Sequence, residues 1–278
     1  MSKYIKSFKT KAEYNAYIAG DHATPYTAYV EEEDKYYYGA KEPEMLEFEF
    51  PQNPSGDFEL RTMLKRVVIP SGVTTIPTNA YYSYYKALEE VVIPDTVTSI
   101  GQNAFYDCPG LTSITIPDSV TTIGQQAFYK TNLTDVYINA ENIGQQAFSD
   151  CKHLTSVTLG DNVRTIGSDS FQYDSTLTSI DFGNGVTEIG QYVLDGCTGI
   201  KNITLPSSVT SICNHAFQGC SFLETMTIKA TTPPTIGTNA IDTRVLYRIY
   251  VPAESVETYK AASGWSDYSG KIAAIPSA

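Results

Sequence analysis

Long apolar runs are missing from this chain of 278 residues. No window approaches the ~20 apolar residues that a membrane-spanning helix needs, so no membrane span is expected. The opening stretch MSKYIKSFKTKAEYNAYIAG has no apolar h-region, so no secretory signal peptide is visible in it. Basic residues are scarce: 19 Lys and Arg stand against 31 Asp and Glu, a net charge of −12. The deficit is spread along the chain, with 12 acids and 7 bases in residues 1–62, which leaves 19 and 12 for the rest. An acidic surface throughout argues against nucleic acid and anionic membranes as partners. Histidine is nearly absent, at His22, His153 and His215. No Ser-His-Asp order, G-x-S-x-G elbow, phosphate loop or H-E-x-x-H pair is present. No catalytic residue and no cofactor are therefore expected, and the chain is read as a non-enzyme. Five cysteines, an odd number in a chain this long, do not make a disulfide framework.

What is present is a core's worth of apolar residues, 42% against 18% charged, and an excess of tyrosine, 21 in all. They are arranged in a repeat. LTSITIPDSVTTIGQQAF at residues 111–128 is nearly copied by LTSVTLGDNVRTIGSDSF at 154–171. The pattern apolar-x-x-apolar-x-apolar starts at Leu64, Leu88, Leu111, Leu133, Leu154, Leu177, Ile200, Leu223 and Leu246, at spacings of 21 to 24 residues. That period lies in the leucine-rich repeat range. Pairs such as Ile114/Ile116, Val136/Ile138 and Ile203/Leu205 alternate, so each pair shares one face of a strand.

One unit cannot bury such a face alone, whereas stacked units bury a continuous core. Nine parallel strands would form a sheet roughly 40 Å long, closed by Pro70, Pro94, Pro117 and Pro206, which cannot donate to a ladder. A Val-Thr-x-Ile-Gly segment follows each strand, and its Gly is expected to allow a tight corner. Next comes Ala-Phe, as at Ala104-Phe105 and Ala127-Phe128, whose ring should fill the centre of the coil. A small residue, often cysteine, sits three before the next leucine: Cys108, Cys151, Cys197 and Cys220.

The repeat register also judges the best metal candidate, Cys213 and His215 with Cys197 and Cys220. Cys197 and Cys220 occupy the inward column, His215 aligns with the polar Asn103, Gln126 and Gln146, and Cys213 replaces the corner glycine. Four ligands aimed at one point do not emerge from that register, so no metal site is expected. Neighbouring column cysteines would point the same way along the stack, which strains a disulfide dihedral, so reduced thiols are expected.

The ends differ from the repeats. Residues 1–62 read as a small α+β module or cap: a capping box at Thr10 to Glu13, a helical face of Tyr14, Tyr17 and Ile18, a hairpin over 27–39 turning at Glu33-Asp34, and a half-buried strand at Leu46, Phe48 and Phe50. Residues 63–252 form the solenoid. Residues 253–278 form a C-terminal cap with a short helix over Pro252 to Gly264, a core lid in Trp265 and a last strand near Ile272.

The outward strand columns are mostly Ser and Thr. The monotony breaks at Asp135, Tyr137 and Asp181, which are the first candidate binding residues. A tyrosine bulge at residues 81–85, in the longest repeat, supplies Tyr82, Tyr84 and Tyr85 as the second set, with Tyr81 in the place of a core Phe.

These units resemble the BspA-like leucine-rich repeat family over about residues 64–252, where the whole unit recurs rather than one motif. The usual Asn ladder after the strand is absent, with Thr96, Ser119, Ser207 or Ser208 nearby instead. The resemblance implies a right-handed β-rich solenoid with a parallel sheet. It also implies a cell-surface or secreted adhesin binding a protein ligand, such as a host extracellular-matrix or neighbouring-cell protein, or a glycan. The alternative is a structural or attachment component of a phage-like or cell-envelope assembly, attached through residues 1–62.

Overall fold

The computed structural model describes residues 65–277 apart from 70 and 243–245, together with three short strands at 6–8, 27–30 and 35–38. From residue 65 onward the chain is a β-solenoid whose turns stack in parallel. A typical turn brings a long strand, a two-residue strand and a tight helical-looking bend back over the core. The long strands pair in the register that the repeat demands: Asp135 faces Ser156, Val136 faces Val157 and Tyr137 faces Thr158. Alternation sorts the side chains, burying Val136, Ile138, Val157, Leu159, Ile203 and Leu205 while the residues between them face solvent.

The expected single sheet of nine strands is not what forms. Residues 113–116 make no strand, and the ladder is also open between Ser179–Asp181 and Asn202–Leu205. The long strands thus fall into sets of two, three and four, the last completed by Ile272–Ala274. Continuity lies on the other side. The Val-Thr-x-Ile segments form a second sheet of eight two-residue strands, unbroken from Thr75–Ile76 to Thr235–Ile236. A two-residue strand carries no readable alternation, so sequence periodicity points to the longer, interrupted face.

The corner glycines also act differently from expectation. Gly101, Gly124 and Gly144 do not have positive φ; the left-handed residues are Asn103, Gln126 and Gln146 at 54–56°, and Asp107, Lys130 and Asp150 at 55–62°. The glycines are required by proximity instead. A Cβ on Gly124 would meet the Gln102 amide nitrogen at 2.6 Å, and one on Gly144 would meet the Gly124 carbonyl carbon at 2.6 Å. No real Cβ tolerates backbone that close.

The bend itself works as a ladder. Alternate amides of Asn103, Phe105 and Asp107 donate to the carbonyls of Gln125, Ala127 and Tyr129 in the next turn, at 2.9, 2.7 and 2.7 Å. Inside the coil the rings of Tyr81, Phe105, Phe128, Phe148 and Phe171 stack at 5.0–5.5 Å between centroids. Hydroxyls take the place of the missing Asn ladder: Thr96, Ser119 and Ser208 donate to the carbonyls of Val73, Val97 and Val186 in the preceding turn at 2.6–2.9 Å.

The C-terminal end is closed as the sequence suggests. A helix spans Val256–Ala261 with Tyr259 buried. Trp265 is fully buried, its indole N–H donating to the Pro234 carbonyl at 2.7 Å, with the Tyr259 hydroxyl bonded to the Ala230 carbonyl at 2.8 Å. Buried Tyr and Trp need such partners for their polar ends. Ile272–Ala274 pairs in parallel with the strand Arg248–Val251 as the final ladder member. Near the N-terminus, Thr27–Val30 pairs antiparallel with Lys35–Tyr38, the expected hairpin, and in parallel with Lys6–Phe8. The expected helix over 10–18, the turn at Glu33-Asp34 and the strand at 46–50 lie outside the described residues.

The inward assignment has a direct check. Val157→Asp places an unpaired charge in the core and should lower stability by more than about 4 kcal/mol or abolish folding. Thr158→Asp, one residue on and exposed, should cost under about 1 kcal/mol. Urea unfolding measures both, and similar losses would contradict the register.

Candidate functional site

Three consecutive long strands carry the first candidate residues: Asp135–Ile138, Ser156–Leu159 and Ser179–Asp181. Their register places Tyr137, Thr158 and Asp181 in one outward row, and Asp135, Ser156 and Ser179 in the row beside it. Tyr137 is 48% exposed, an unusual share for a ring on this face. Asp135 and Asp181 are exposed as well, so the structure brings these three side chains onto one surface. Their carboxylates are held locally. Asp135 accepts the Thr134 hydroxyl at 2.9 Å, and Asp181 accepts the Gly183 amide at 3.0 Å. Where the ladder is open beyond Asp181, a shallow cleft of about 520 Å³ is lined by Asp161, Asp181, Asn184, Asn202, Thr204 and Lys229. The surface is flat, polar and shallow, with one ring standing from it. That arrangement offers contacts to a large partner rather than a pocket enclosing a small one.

The tyrosine bulge divides. Tyr84 is 46% exposed and Tyr82 is half-buried. Tyr85 is only 5% exposed and is withdrawn from the exposed set. It sits three residues before Leu88, the inward position that Cys108 holds one turn later, and packs edge-on against Tyr81 at 5.2 Å. Sequence reasoning missed Tyr106 and Tyr129. With Tyr82 they form a half-exposed ladder of stacked rings at 4.7 and 4.9 Å, with the Lys130 ammonium 5.3 Å from the last ring centroid. The signal was available, since each follows the core aromatic by one position.

Of the former metal candidates, Cys197 and Cys220 are buried in the core column, while His215 stacks on Tyr192 at 4.8 Å. The Cys213 thiol lies 3.6 Å from a Glu188 carboxylate oxygen. Among the described residues no cluster of His, Cys, Asp or Glu is arranged to hold a metal ion.

The sequence model of the BspA type leucine rich repeat region matches residues 54–178 and 141–262, with six copies. Together these segments cover well over half of the chain. The chain belongs to the BspA-type leucine-rich repeat family. No curated protein matches it.

Solved structures similar to this BspA-type chain include three bacterial leucine-rich repeat proteins. One from Eubacterium ventriosum is 29% identical over 56% of this chain and 42% of its own, with a TM-score of 0.53. One from Bacteroides ovatus is 26% identical over 68% of this chain and 56% of its own, with a TM-score of 0.50. A leucine rich cell surface protein from Faecalibacterium prausnitzii is 27% identical over 77% of this chain and 64% of its own, with a TM-score of 0.43. The chain spans less than two thirds of the length of each. Among the described residues of the BspA-type chain, no helix is long and apolar enough to cross a membrane.

The thiols of this repeat chain separate into two classes. Burial pushes Cys108 and Cys220 up to about 12 and also raises Cys151 and Cys197. Since the thiolate is the reactive form, these four should resist a bulky maleimide in the native protein. Half-exposed Cys213 is the only thiol with an open route. Mass spectrometry should find one label per native chain, at Cys213, and five after denaturation. Rapid native labelling of any column cysteine would contradict the packing.

Proposed function

We propose that this chain is a non-enzymatic interaction module of a bacterial surface adhesin, which binds a protein partner through its outward strand face. Membership in the BspA-type family supports the class. The observation that carries the site is a ring 48% exposed on a face built mostly of Ser and Thr: Tyr137, flanked by Asp135 and Asp181 within three paired strands. Small hydroxyls offer adaptable hydrogen bonds but little buried area. Binding energy usually concentrates in a few large or charged groups near the centre of an interface. The ridge of Tyr82 and Tyr84 is a second contact region of the same partner-binding surface. Extracellular-matrix or neighbouring-cell proteins are the partner class, with exposed glycans as the other ligand to screen.

The organisation that goes with this function is a module or cap at 1–62, the repeat solenoid at 63–252 and a closing cap at 253–278. In this reading the solenoid presents the ligand face, and the chain reaches the cell surface or is secreted.

The test begins with a binding screen of the full chain against matrix proteins and glycans. Tyr137→Ala should weaken the strongest hit by more than about 1 kcal/mol, roughly fivefold. Thr204→Ala, on the same face, should leave affinity nearly unchanged, and circular dichroism should show both variants folded. Parent-like affinity for Tyr137→Ala would remove the strand face from the account and move the site to Tyr82 and Tyr84 or to residues 1–62.

A further inference from the structure

Three irregularities fall on one interface between turns, and they come from different parts of the architecture. The aromatic stack runs from Tyr81 to Phe171, and the next turn holds Leu194 in the ring's place. The long-strand ladder closes at Asp181 and resumes at Asn202. The inward column that holds Cys108, Cys151, Cys197 and Cys220 holds Asp174 in the turn between. Asp174 is 0% exposed. One carboxyl oxygen accepts the Cys151 amide at 2.7 Å, and the other, Oδ2, has no hydrogen-bond partner. A buried polar atom without a partner is destabilising in any protein, and a buried charge far more so.

The other interruption, at residues 113–116, lacks these features: Phe105 stacks on Phe128 across it, and Cys108 keeps its column. At the Asp174 interface the remaining two sides stay joined. The short strands Thr165–Ile166, Glu188–Ile189 and Ser211–Ile212 pair without a break. In the bend, Phe171 and Tyr173 donate to Val193 and Asp195 at 3.0 and 2.8 Å. An interface fastened on two sides and open on the third has the geometry of a hinge, with the cleft between Asp181 and Asn202 at its mouth.

We propose that the interface between the turn of Asp174 and the turn of Cys197 is a proton-controlled joint, closed while Asp174 is neutral and opening along the long-strand face when the carboxyl ionises. The groups around Asp174 fit this role. Cys151 and Cys197 face it from the adjacent turns, and Asp150 and Lys152 lie near it. Burial holds the carboxyl well above the usual carboxylate range; the Cys151 amide and Lys152 oppose that shift and Asp150 adds to it. Opening wets Asp174 and returns it to an ordinary carboxylate near 4. The closed form therefore binds a proton that the open form releases. Closure has its full advantage below about pH 4 and loses it as pH rises toward the closed-state value. Between those limits the open population grows about tenfold per pH unit.

Hydrogen exchange of the full chain, read by mass spectrometry at about pH 5.5, 6.5 and 7.5 and corrected for intrinsic exchange, tests the joint. Protection over residues 198–206 should fall with rising pH in the parent, by up to about tenfold per pH unit, while residues 88–151 keep constant protection. Asp174→Asn and Asp174→Cys should both abolish that slope, the second restoring the residue type the column carries elsewhere. A flat parent profile, a slope that survives in either variant, or the same slope along the whole chain would overturn the joint.

Discussion

The rest of this structure depends on backbone pairing between consecutive turns. Gly124 donates back to Ile100 at 2.8 Å, and four residues later Phe128 donates forward to Ala147 at 2.7 Å. A turn thus has partners on both sides, and the bonds within it are short-range ones that close its bends, such as Val120 to Pro117 and Ala127 to Gly124. Its apolar residues are covered only by its neighbours, as Phe128 is by Phe105 and Phe148. Side chains are selected by that constraint. The corner glycines persist because the previous turn's backbone occupies the space of a Cβ. The hydroxyls of Thr96, Ser119 and Ser208 serve because a short side chain reaches a carbonyl one turn away. Free cysteine suits the inward column because it is small, apolar and able to bond weakly to a carbonyl, as Cys197 does to Phe171 at 3.0 Å.

The same constraint sets what the surface can do. Every turn presents the same few outward positions at the spacing of a β-ladder, so functional variation is written as substitutions along a column. Tyr137 on the strand face and the ladder of Tyr82, Tyr106 and Tyr129 on the bend are two such substitutions. Neither changes the backbone that carries it. The inward columns allow the same kind of change, and Asp174 is the instance that alters the mechanics of the stack rather than its surface.

Much of this was legible in the sequence. The period located the long strands, their inward residues, the central rings, the thiol column and the Trp265 lid, because each of these repeats or closes a repeat. The short-strand sheet was not legible, since two residues carry no alternation. The breaks at 113–116 and after Asp181 were also hidden, because Ile114/Ile116 and Ile203/Leu205 look the same on paper although only the second pair joins a ladder. The role of the corner glycines was misread because sequence distinguishes neither positive φ nor a close neighbour as the reason for glycine. For the candidate site, alternation placed Asp135, Tyr137 and Asp181 outward. It could not place Tyr85, since the bulge obscures which of its rings continues the inward column. Asp174 was readable in principle, three residues before Leu177, but only once the column was known to be buried.

The central claim is that stability resides in stacking between whole turns. It is tested most directly by deleting one complete turn and, separately, half of one from the middle of the solenoid, residues 133–153 in the first case and 133–143 in the second. Removing the whole turn brings Leu154 to the position of Leu133 and keeps every ladder in register. The account predicts a cooperative urea transition for that variant, with a modestly lower midpoint. It predicts no cooperative transition for the half-turn deletion, which sets inward columns against outward ones. Equal unfolding behaviour of the two deletions would contradict it.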